Sequence, residues 1–511
     1  MQPARAVVGD ESAALAFRTM SAKPRPWARR FLKWAGYLAG VVAAILATIV
    51  LVFTLQARAR LPDLQAWHRV QLDQEFHVSS PDAPASFTEY LALEDRLIRQ
   101  LRERVLDDAK SADTWPLGRY NPQSVVSRLA LDTPYNHSYE LAPPGEPRGS
   151  VLLVHGLSDS PYSMRSLAET FLAQGYYVVV LRMPGHGTLP SGLLDVTWQD
   201  WYGAVVLAAK HAAARGGAGK PFIAGGHSTG AALLTLYSLR SLTDDSLPRP
   251  ADIHLVSAAI GISRFAALTN ILSGLSFVPG FEKSRWLDVL PEYDPYKYNS
   301  FPVNAANQIH KLTLVVQDTI DSLSAEQLGK MPRVHVYQSI VDSTVTSSEV
   351  IHGLLARLPP GRHELIAFDI NRQAAMESLI APSLLDDIKR LRSGSQPFRI
   401  TLISNREDTT RKVSAYTREA GSAEVSVREL PLEWPVGVFS VGHVALPFPI
   451  DDPVYGLTPS PSGSSYNLGA VAGKGESGAL VVGLGTFARL RSNPFFDVIR
   501  TNVVESLATP P

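Results

Sequence analysis

The stretch that decides the fold is PFIAGGHSTGAALLTLYSLRSL, residues 221–242. Its first five residues, PFIAG, are short and apolar, as in a buried parallel strand, and the residues after Gly230 carry apolar side chains at helical spacing. Between these two parts lies GHSTG at 226–230, which matches the pattern G-x-S-x-G. A strand, this pentapeptide and a helix in succession predict a nucleophile elbow, a strained turn that exposes a serine hydroxyl. Ser228 is therefore the candidate nucleophile.

The residues around Ser228 fit the same turn. Gly226 and Gly230 lie where a side chain would collide with the neighbouring strand and helix, and His227 and Thr229 complete the pentapeptide. The alternative is an ordinary turn of small residues with a central serine.

A serine hydroxyl is a weak nucleophile near neutral pH, so Ser228 needs a base, an acid that orients the base, and donors for an oxyanion. After an elbow of this kind, the partners follow in the order Asp or Glu, then His. Three histidines lie well beyond the elbow and also follow a plausible acid: His352, His363 and His443. The first falls in the next helical pattern and the second opens an apolar strand. Only His443, in the loop FSVGHVALPFP, has the position of a base, so it is the candidate.

The candidate acid follows from RVHVYQSIVDSTV at 333–345, an alternating strand pattern that breaks at Asp342. This break would place the Asp342 carboxylate at the C-terminal end of a strand. Three alternatives stay open: Asp342 as a helix N-cap, Asp369 at the end of the next strand as the acid, and His443 as an ordinary loop histidine.

An oxyanion hole normally takes one N–H from the residue after the nucleophile, here Thr229, and one from a loop after an earlier strand. The apolar strand VLLV at 151–154 leads directly into such a loop, HGL. Gly156 lets the backbone approach the substrate, and the Leu157 N–H is the candidate second donor. His155 is interpreted as a structural residue that holds the loop.

The segments VLLVHGLSDS, LRMPGHGT, GGHSTG, VDSTV and GHVALPFP together resemble the α/β-hydrolase superfamily. The resemblance is strongest to its branch of monoacylglycerol lipases, carboxylesterases and serine aminopeptidases, and it covers about 135–370 and the stretch around His443. It implies a mostly parallel sheet flanked by helices, with a helical cap inserted after the strand that follows the elbow.

The same resemblance implies specific roles. It makes Ser228 the nucleophile, Asp342 the acid and His443 the base of a serine hydrolase, with Leu157 and Thr229 as oxyanion donors. One departure is the long segment between the strand near Asn371 and the candidate base, where the family has a short loop. FRITLISNR and AEVSVREL in this segment are typical of added strands.

Composition excludes several function classes. The 511 residues include 48 basic and 48 acidic side chains and no cysteine. The balanced charge and the lack of a basic run argue against a nucleic-acid partner, and the lack of cysteine excludes disulfides, thiol nucleophiles and zinc–thiolate sites. Neither a metal-ligand cluster nor a phosphate-binding glycine loop occurs, so no cofactor is expected.

The segment WAGYLAGVVAAILATIVLVFTL, residues 34–55, carries no charge. As a helix it would be about 33 Å long, enough to cross a bilayer core. We expect a retained transmembrane helix at 34–56 that anchors the chain in a lipid bilayer; a cleaved signal peptide and a buried core helix are the alternatives. Gly36 and Gly40 form a GxxxG pattern that allows a homodimer through this helix.

The basic residues that flank this segment predict its orientation. The excess of positive charge before it favours a cytoplasmic N-terminus and a periplasmic or extracellular catalytic domain. The basic residues before the segment are Arg25, Arg29, Arg30 and Lys33, and those after it are Arg58, Arg60 and Arg69.

The predicted organisation has four parts. A cytoplasmic tail at 1–33 and the transmembrane helix precede a juxtamembrane helical region at 57–134, in which SFTE at 86–89 is a capping box that opens an amphipathic helix. The hydrolase domain covers 135–511. Within this domain we expect a cap at about 261–330 and an insertion at about 372–432.

The leading hypothesis is a membrane-anchored serine hydrolase that cleaves carboxylic esters through an acyl-enzyme on Ser228. The apolar density of the cap favours small-molecule or lipid ester substrates with lipophilic acyl groups. A peptidase of the serine aminopeptidase type is the alternative, with Glu292 or Asp294 as the carboxylate that grips a substrate amine. A catalytically silent binding scaffold is the third hypothesis.

Overall fold

A computed structural model describes residues 26–108, 113–261, 282–342, 344–372, 395–405, 410–458, 466–470 and 489–508. The chain divides after Gln56 into two compact units. The described part of the first unit lies in helix α1, which covers Pro26–Arg60.

Helix α1 includes the whole of the predicted transmembrane segment, 34–56. Among the described residues, however, no helix has both the length and the apolar character that crossing a membrane requires. The predicted transmembrane helix and membrane anchor are therefore not supported. The cytoplasmic side of the N-terminus and the location of the catalytic domain stay predictions.

The second unit is built on a ten-stranded sheet, with strand order β1-β3-β2-β4-β5-β8-β9-β10-β11-β12. From β3 to β10 every neighbouring pair is parallel, whereas β1 pairs antiparallel with β3 at one edge, and β11 and β12 pair antiparallel at the other. The mostly parallel sheet predicted from the sequence is confirmed. The ten strands are β1 Tyr139–Leu141, β2 Ser150–Val154, β3 Tyr177–Leu181, β4 Phe222–His227, β5 Asp252–Val256, β8 Arg333–Ser339, β9 Glu364–Phe368, β10 Arg399–Asn405, β11 Lys412–Arg418 and β12 Ser426–Glu433; a separate antiparallel pair is formed by β6 Trp286–Asp288 and β7 Phe301–Pro302.

Helices cover both faces of this sheet. The helices of the second unit are α2 Ala66–Arg69, α3 Phe87–Leu101, α4 Val125–Leu131, α5 Arg165–Ala173, α6 Trp198–Gly216, α7 Thr229–Arg240, α8 Val303–Ser322, α9 Ala325–Leu328, α10 Ser347–Gly353 and α11 Phe496–Ala508. Helices α3, α6, α7 and α8 pack on one face, and α5 and α11 on the other.

The central strands are buried on both faces, which explains why their sequences are continuously apolar rather than alternating. In β2, Leu152 and Val154 point to the face covered by α6 and α7, whereas Val151 and Leu153 point to the face covered by α5. Strand β3 divides its side chains in the same way. Two apolar cores therefore hold the sheet rigid, and the loops at its C-terminal edge have a fixed support.

The region predicted as juxtamembrane packs into the second unit. Ser86 caps α3, since its side chain accepts a hydrogen bond from the Glu89 N–H, as the capping box predicts. The Tyr90 hydroxyl donates to the Arg182 carbonyl oxygen (2.8 Å), and Arg182 Nε donates to Glu94 (2.9 Å), with all three side chains buried. Helix α3 is thus part of the second unit and not a separate element.

The two predicted additions to the hydrolase domain are described in part. Residues 262–281 of the predicted cap and 373–394 of the predicted insertion lie outside the described residues. In the remainder of the cap range, α8 packs against α7 in the layer that covers the sheet. In the insertion, β10 and β12 confirm the two expected strands, and β11 is a third that lies between them in the sheet.

Candidate active site

Ser228 lies between β4 and α7, at the turn predicted to be a nucleophile elbow. Its backbone has φ 52° and ψ −111°, a conformation that is strained for a residue with a side chain. The Ser228 N–H donates to the Val256 carbonyl oxygen on β5 (2.9 Å), which ties the turn to the neighbouring strand. The strand-to-helix turn is confirmed in its predicted place.

The two glycines of the pentapeptide have the steric role expected of them. A Cβ atom at Gly226 would lie 2.6 Å from the Ala231 nitrogen, and one at Gly230 would lie 2.5 Å from the His155 carbonyl oxygen. Because these neighbours are backbone atoms, they cannot move aside as a flexible side chain could. Glycine at both positions therefore lets the elbow pack against α7 and against the loop after β2.

The structure brings Ser228, Asp342 and His443 together. His443 Nε2 lies 3.1 Å from Ser228 Oγ, and His443 Nδ1 lies 2.8 Å from Asp342 Oδ2. An ionised carboxylate only accepts hydrogen bonds, so Nδ1 carries the imidazole proton and Nε2 is free to accept from the serine hydroxyl. This is the arrangement in which an imidazole can take a proton from Ser228.

The Asp342 carboxylate is fully enclosed and every one of its partners is a donor. Oδ1 accepts from the N–H groups of Thr344 (2.8 Å) and Val345 (2.9 Å), and Oδ2 accepts from Gln338 Nε2 (3.1 Å) as well as from His443. Burial favours the neutral acid, but the interaction with His443 and the hydrogen bonds from the two backbone N–H groups outweigh it and lower the pKa of Asp342. The carboxylate is thus ionised next to the imidazole.

The alternative acid, Asp369, has other partners. Arg372 donates to both of its carboxylate oxygens (2.6 and 2.9 Å), and the Ser404 hydroxyl donates to Oδ2 (2.7 Å). It therefore serves to hold the start of the insertion next to β10.

The loop that carries His443 is fixed to the end of β9. Ile370 and Ser440 form an isolated antiparallel bridge, and the Asn371 N–H donates to the Phe439 carbonyl oxygen (2.7 Å). The chain therefore leaves the end of β9 at 370 and returns to the same place at 440, after the added strands β10, β11 and β12. This pairing explains how His443 lies beside Asp342 in spite of the long intervening segment.

The loop after β2 passes directly beside the nucleophile. A Cβ atom at Gly156 would lie 3.2 Å from Ser228 Cβ and 2.9 Å from His227 Nδ1, so only glycine lets this backbone approach so closely. Leu157 follows in this loop, and Thr229 begins α7, where an N–H has no acceptor within the helix. The two N–H groups predicted as oxyanion donors belong to segments that flank Ser228; their role as donors stays a prediction.

His155 is buried and its two ring nitrogens are both used. The Met183 N–H donates to His155 Nε2 (3.0 Å), so Nδ1 carries the proton and donates to the Gly156 carbonyl oxygen (2.8 Å). Burial, with the nearby His186 ring, lowers the pKa of His155 to about 3, so the ring stays neutral. These contacts tie the loop after β2 to the end of β3.

The two carboxylates suggested for binding a substrate amine are both buried and engaged within the protein. Glu292 accepts from the N–H groups of Asn299 and Ser300 (2.9 Å each), and burial raises its pKa to about 7. Asp294 accepts from the Tyr455 hydroxyl and lies 3.4 Å from Arg491 Nη1. Neither carboxylate is available to a ligand in this arrangement.

The sequence does not reveal two further charged residues beside the loop after β2. Asp159 is buried, and its Oδ2 lies 3.6 Å from Lys297 Nζ and 3.6 Å from His227 Nδ1. Asp159 lies two residues after the HGL motif, but no local pattern in the sequence connects it with Lys297. Among the described residues, no group of three or more His, Asp or Glu side chains is arranged to hold a metal ion.

Residues 145–275 match the family model described as serine aminopeptidase, S33. The matched segment contains β2 to β5 and the elbow, and these are the strands that order the sheet around Ser228. The chain has an α/β-hydrolase fold. The match covers about a quarter of the chain and includes neither Asp342 nor His443.

The chain is also similar to the thermostable monoacylglycerol lipase of Bacillus sp. (strain H-257), with 46% identity over 55 residues. The similarity covers 11% of this chain and 22% of the lipase, so the chain spans about a fifth of the length of the relative that it matches.

Three solved structures are similar to this chain. The first is one of the metagenome-derived lipolytic enzymes LipS and LipT, with 22% identity, coverage of 50% of this chain and 98% of that chain, and a TM-score of 0.36. The second is the monoacylglycerol lipase of Paleococcus ferrophilus, with 15% identity, coverage of 46% and 88%, and a TM-score of 0.34. The third is a soluble variant of the monoglyceride lipase of Saccharomyces cerevisiae, with 13% identity, coverage of 50% and 88%, and a TM-score of 0.35. Because the TM-scores are below 0.5, these structures carry no argument about the function of this chain.

Proposed function

We propose that this protein is a serine hydrolase that cleaves carboxylic esters through an acyl-enzyme on Ser228. The observation that carries the proposal is the chain of contacts from Ser228 Oγ through the His443 imidazole to the buried Asp342 carboxylate. The strained backbone of Ser228 supports it, because such strain is commonly retained at functional sites.

In the proposed reaction, His443 Nε2 removes the hydroxyl proton of Ser228 as Oγ attacks the ester carbonyl carbon. The imidazolium that forms is stabilised by Asp342, and the same proton then passes to the leaving alcohol. A water molecule attacks the acyl-enzyme in the second half-reaction, with His443 again as the base. The N–H groups of Leu157 and Thr229 would hold the oxyanion in both steps, and the loss of one such donor costs about 100- to 1000-fold in kcat.

For the substrate we propose an ester with a lipophilic acyl group. The support is the similarity to a monoacylglycerol lipase over 55 residues and the apolar residues of the predicted cap, such as Phe277, Phe281 and Trp286. Trp286 is buried in the described structure, whereas the two phenylalanines lie outside the described residues.

An aminopeptidase is the second candidate, because the matching family model is described as serine aminopeptidase. A peptidase of this type needs a carboxylate that faces the substrate amine. Glu292 and Asp294 both have internal donors instead, which disfavours them for this role. The ester hydrolase is therefore the preferred proposal.

Two measurements test the proposal. A fluorophosphonate probe should label the wild-type protein and fail to label Ser228→Ala, whereas a silent binding scaffold would leave both proteins unlabelled. Hydrolysis of p-nitrophenyl esters from acetate to decanoate should increase in kcat/KM with acyl length, and aminoacyl anilides should not be cleaved. Faster cleavage of the anilides than of every ester would favour the aminopeptidase and refute the ester hydrolase.

A further inference from the structure

The loop after β2 contains a second strained residue, one position beyond Leu157. Ser158 has φ 58°, a conformation that residues other than glycine adopt only where their surroundings hold them in it. Because Ser158 follows Leu157 directly, its conformation helps to set the direction of the peptide groups around the proposed oxyanion donor. The contacts that hold Ser158 therefore bear on the geometry of the oxyanion hole.

Part of this support comes from the segment that precedes α8. The Tyr298 N–H donates to the Ser158 carbonyl oxygen (2.7 Å). The Tyr298 hydroxyl accepts from the Thr188 N–H (2.8 Å) and donates to the Gly185 carbonyl oxygen (3.2 Å), so Tyr298 is itself fixed to the loop after β3. The backbone hydrogen bond from Tyr298 thus connects the strained Ser158 to a residue that is itself held in place.

An ion pair lies beside this hydrogen bond, between Asp159, which follows Ser158, and Lys297, which precedes Tyr298. Lys297 Nζ lies 3.6 Å from Asp159 Oδ2, and Asp159 is 3% exposed. The ammonium group also lies over the rings of Phe448 (4.7 Å from the centroid) and Tyr455 (5.5 Å). These rings restrict Lys297 to a position in front of Asp159.

On its other side, Asp159 faces the elbow. Asp159 Oδ2 lies 3.6 Å from His227 Nδ1, the ring nitrogen that packs against Gly156. The centroids of the His227 and His443 rings are 5.2 Å apart. Burial raises the pKa of Asp159, but the charge of Lys297 and the neighbouring His227 outweigh this effect and hold the pKa well below its usual range. A buried charge therefore lies between the segment before α8 and the residue that precedes the nucleophile.

We propose that Asp159 and Lys297 are positioning residues for the oxyanion hole, which hold the Leu157–Asp159 segment in its strained conformation against Ser228. The proposal rests on the proposed ester hydrolase and adds to it the residues that pre-organise its oxyanion donors. Neither side chain is a catalytic residue, since both act through the backbone of the loop after β2.

The physical reason is the cost of an unpaired buried charge. Without the Lys297 ammonium, the Asp159 carboxylate would be buried with no cation opposite it, so it would take up a proton or turn towards water. Either change breaks the ion pair between Asp159 and Lys297, which lies next to Ser158 in the chain. The Leu157–Asp159 segment can then relax from its strained conformation. The Leu157 N–H would then point away from the oxyanion. An oxyanion forms only in the reaction, so transition-state binding should weaken more than substrate binding.

The experiment compares Lys297→Met, Lys297→Arg, Asp159→Asn and the double variant Asp159→Asn/Lys297→Met with the wild type. A matched control is Lys220→Met, since Lys220 pairs with Glu146 on the surface. Rates are measured on p-nitrophenyl butyrate and divided by the concentration of sites that react with a fluorophosphonate, so that misfolded protein does not count. Affinity for a trifluoromethyl ketone, which forms an oxyanion adduct with the serine, reports on the hole itself.

Lys297→Met should lower kcat by about 10- to 100-fold and change KM less than about twofold, since misplacing a donor costs less than deleting one. Affinity for the trifluoromethyl ketone should fall by the same factor as kcat/KM. Lys297→Arg should retain most of the wild-type kcat, because it keeps the positive charge. The kcat of the double variant should be no lower than that of the less active single variant, because both substitutions break the same ion pair. Lys220→Met should behave as the wild type.

Three results would overturn the proposal. These are an unchanged kcat in Lys297→Met, a rise in KM without a fall in kcat, which would make Lys297 a substrate contact, and losses that multiply in the double variant. A wild-type protein that neither reacts with the fluorophosphonate nor cleaves esters overturns the proposed function and this inference with it. An active wild type with an unaffected Lys297→Met variant overturns this inference alone.

Discussion

Replacing Asp342 by Asn should disable the protein by reversing the imidazole tautomer of His443. The orientation of the new amide follows from the contacts of the carboxylate. Oδ1 accepts from two backbone N–H groups, those of Thr344 and the buried Val345. If the amide nitrogen took this position, both would lose their acceptor, and the loss at Val345 alone would cost about 1–3 kcal/mol. With the amide nitrogen at Oδ2, only Gln338 Nε2 loses its acceptor, so the amide oxygen is expected at Oδ1 and the nitrogen at Oδ2.

The amide nitrogen of residue 342 would then face His443 Nδ1, which lies 2.8 Å from Oδ2 in the wild type. An NH2 group can only donate, so Nδ1 becomes the acceptor and the proton moves to Nε2, opposite the Ser228 hydroxyl. In this tautomer the imidazole cannot accept the serine proton. The equivalent change in a Ser-His-Asp triad lowers kcat by about 10⁴-fold, and we expect the same order here.

The assay is the hydrolysis of p-nitrophenyl butyrate by Asp342→Asn, with the thermal unfolding of the variant followed in parallel. Asp369→Asn is the matched control, because Asp369 is also a buried carboxylate just after a strand but contacts Arg372 and Ser404 instead of His443. It should retain kcat within about threefold of the wild type. A folded Asp342→Asn variant with kcat within tenfold of the wild type would refute the tautomer reasoning, and a larger loss in Asp369→Asn would make Asp369 the functional acid.

Two further predictions concern the elbow and the sheet. Gly230→Ala should abolish fluorophosphonate labelling, because the added Cβ would lie 2.5 Å from a backbone oxygen. The control Gly442→Ala should be labelled like the wild type, because no atom lies within 4 Å of its added Cβ. Equal labelling of the two variants would contradict the steric argument. Burial opposes ionisation of Glu364, but the hydrogen bond and charge of His335 lower the pKa of Glu364 from 4.5 to about 2. The ionised Glu364 therefore stabilises the folded protein fully above pH 4.5, and this contribution is lost as the pH falls through about 2. In urea titrations Glu364→Gln should be less stable than the wild type by on the order of 3 kcal/mol at pH 7, with a difference that shrinks towards pH 2; a constant difference would show that ionisation of Glu364 does not matter.

The parts of the site that sequence analysis predicts well are those set by neighbouring residues. The elbow depends on GHSTG and its two flanks, and all of its constraints lie within 221–242. The place of Asp342 after a strand is predicted for a similar reason, because the alternating pattern of β8 stops just before it. Parallel strands then bring their C-terminal ends to one edge, so a residue that follows β8 lies near one that follows β4.

Features that depend on distant contacts are not visible in the same way. Strand β11, Lys412–Arg418, has the mixed sequence KVSAYTR, which has no strong strand signal by itself and is stabilised by pairing with β10 and β12. The pair of Asp159 and Lys297 joins residues of two segments whose approach is set by the packing around Tyr298. An apolar run such as 34–55 predicts a helix, and α1 confirms it, but the helix does not meet the requirement for a membrane span.

The position of His443 shows why a large insertion need not disturb a site of this kind. The bridge between Ile370 and Ser440 closes the insertion at its base, so the described strands of the insertion lie outside the path from β9 to His443. Strand β10 pairs parallel with β9, and β11 and β12 continue outward, so these strands extend the sheet beyond β9 and leave the C-terminal ends of β4 and β8 unchanged. The geometry around Ser228 is therefore determined by the two ends of the insertion and not by its length.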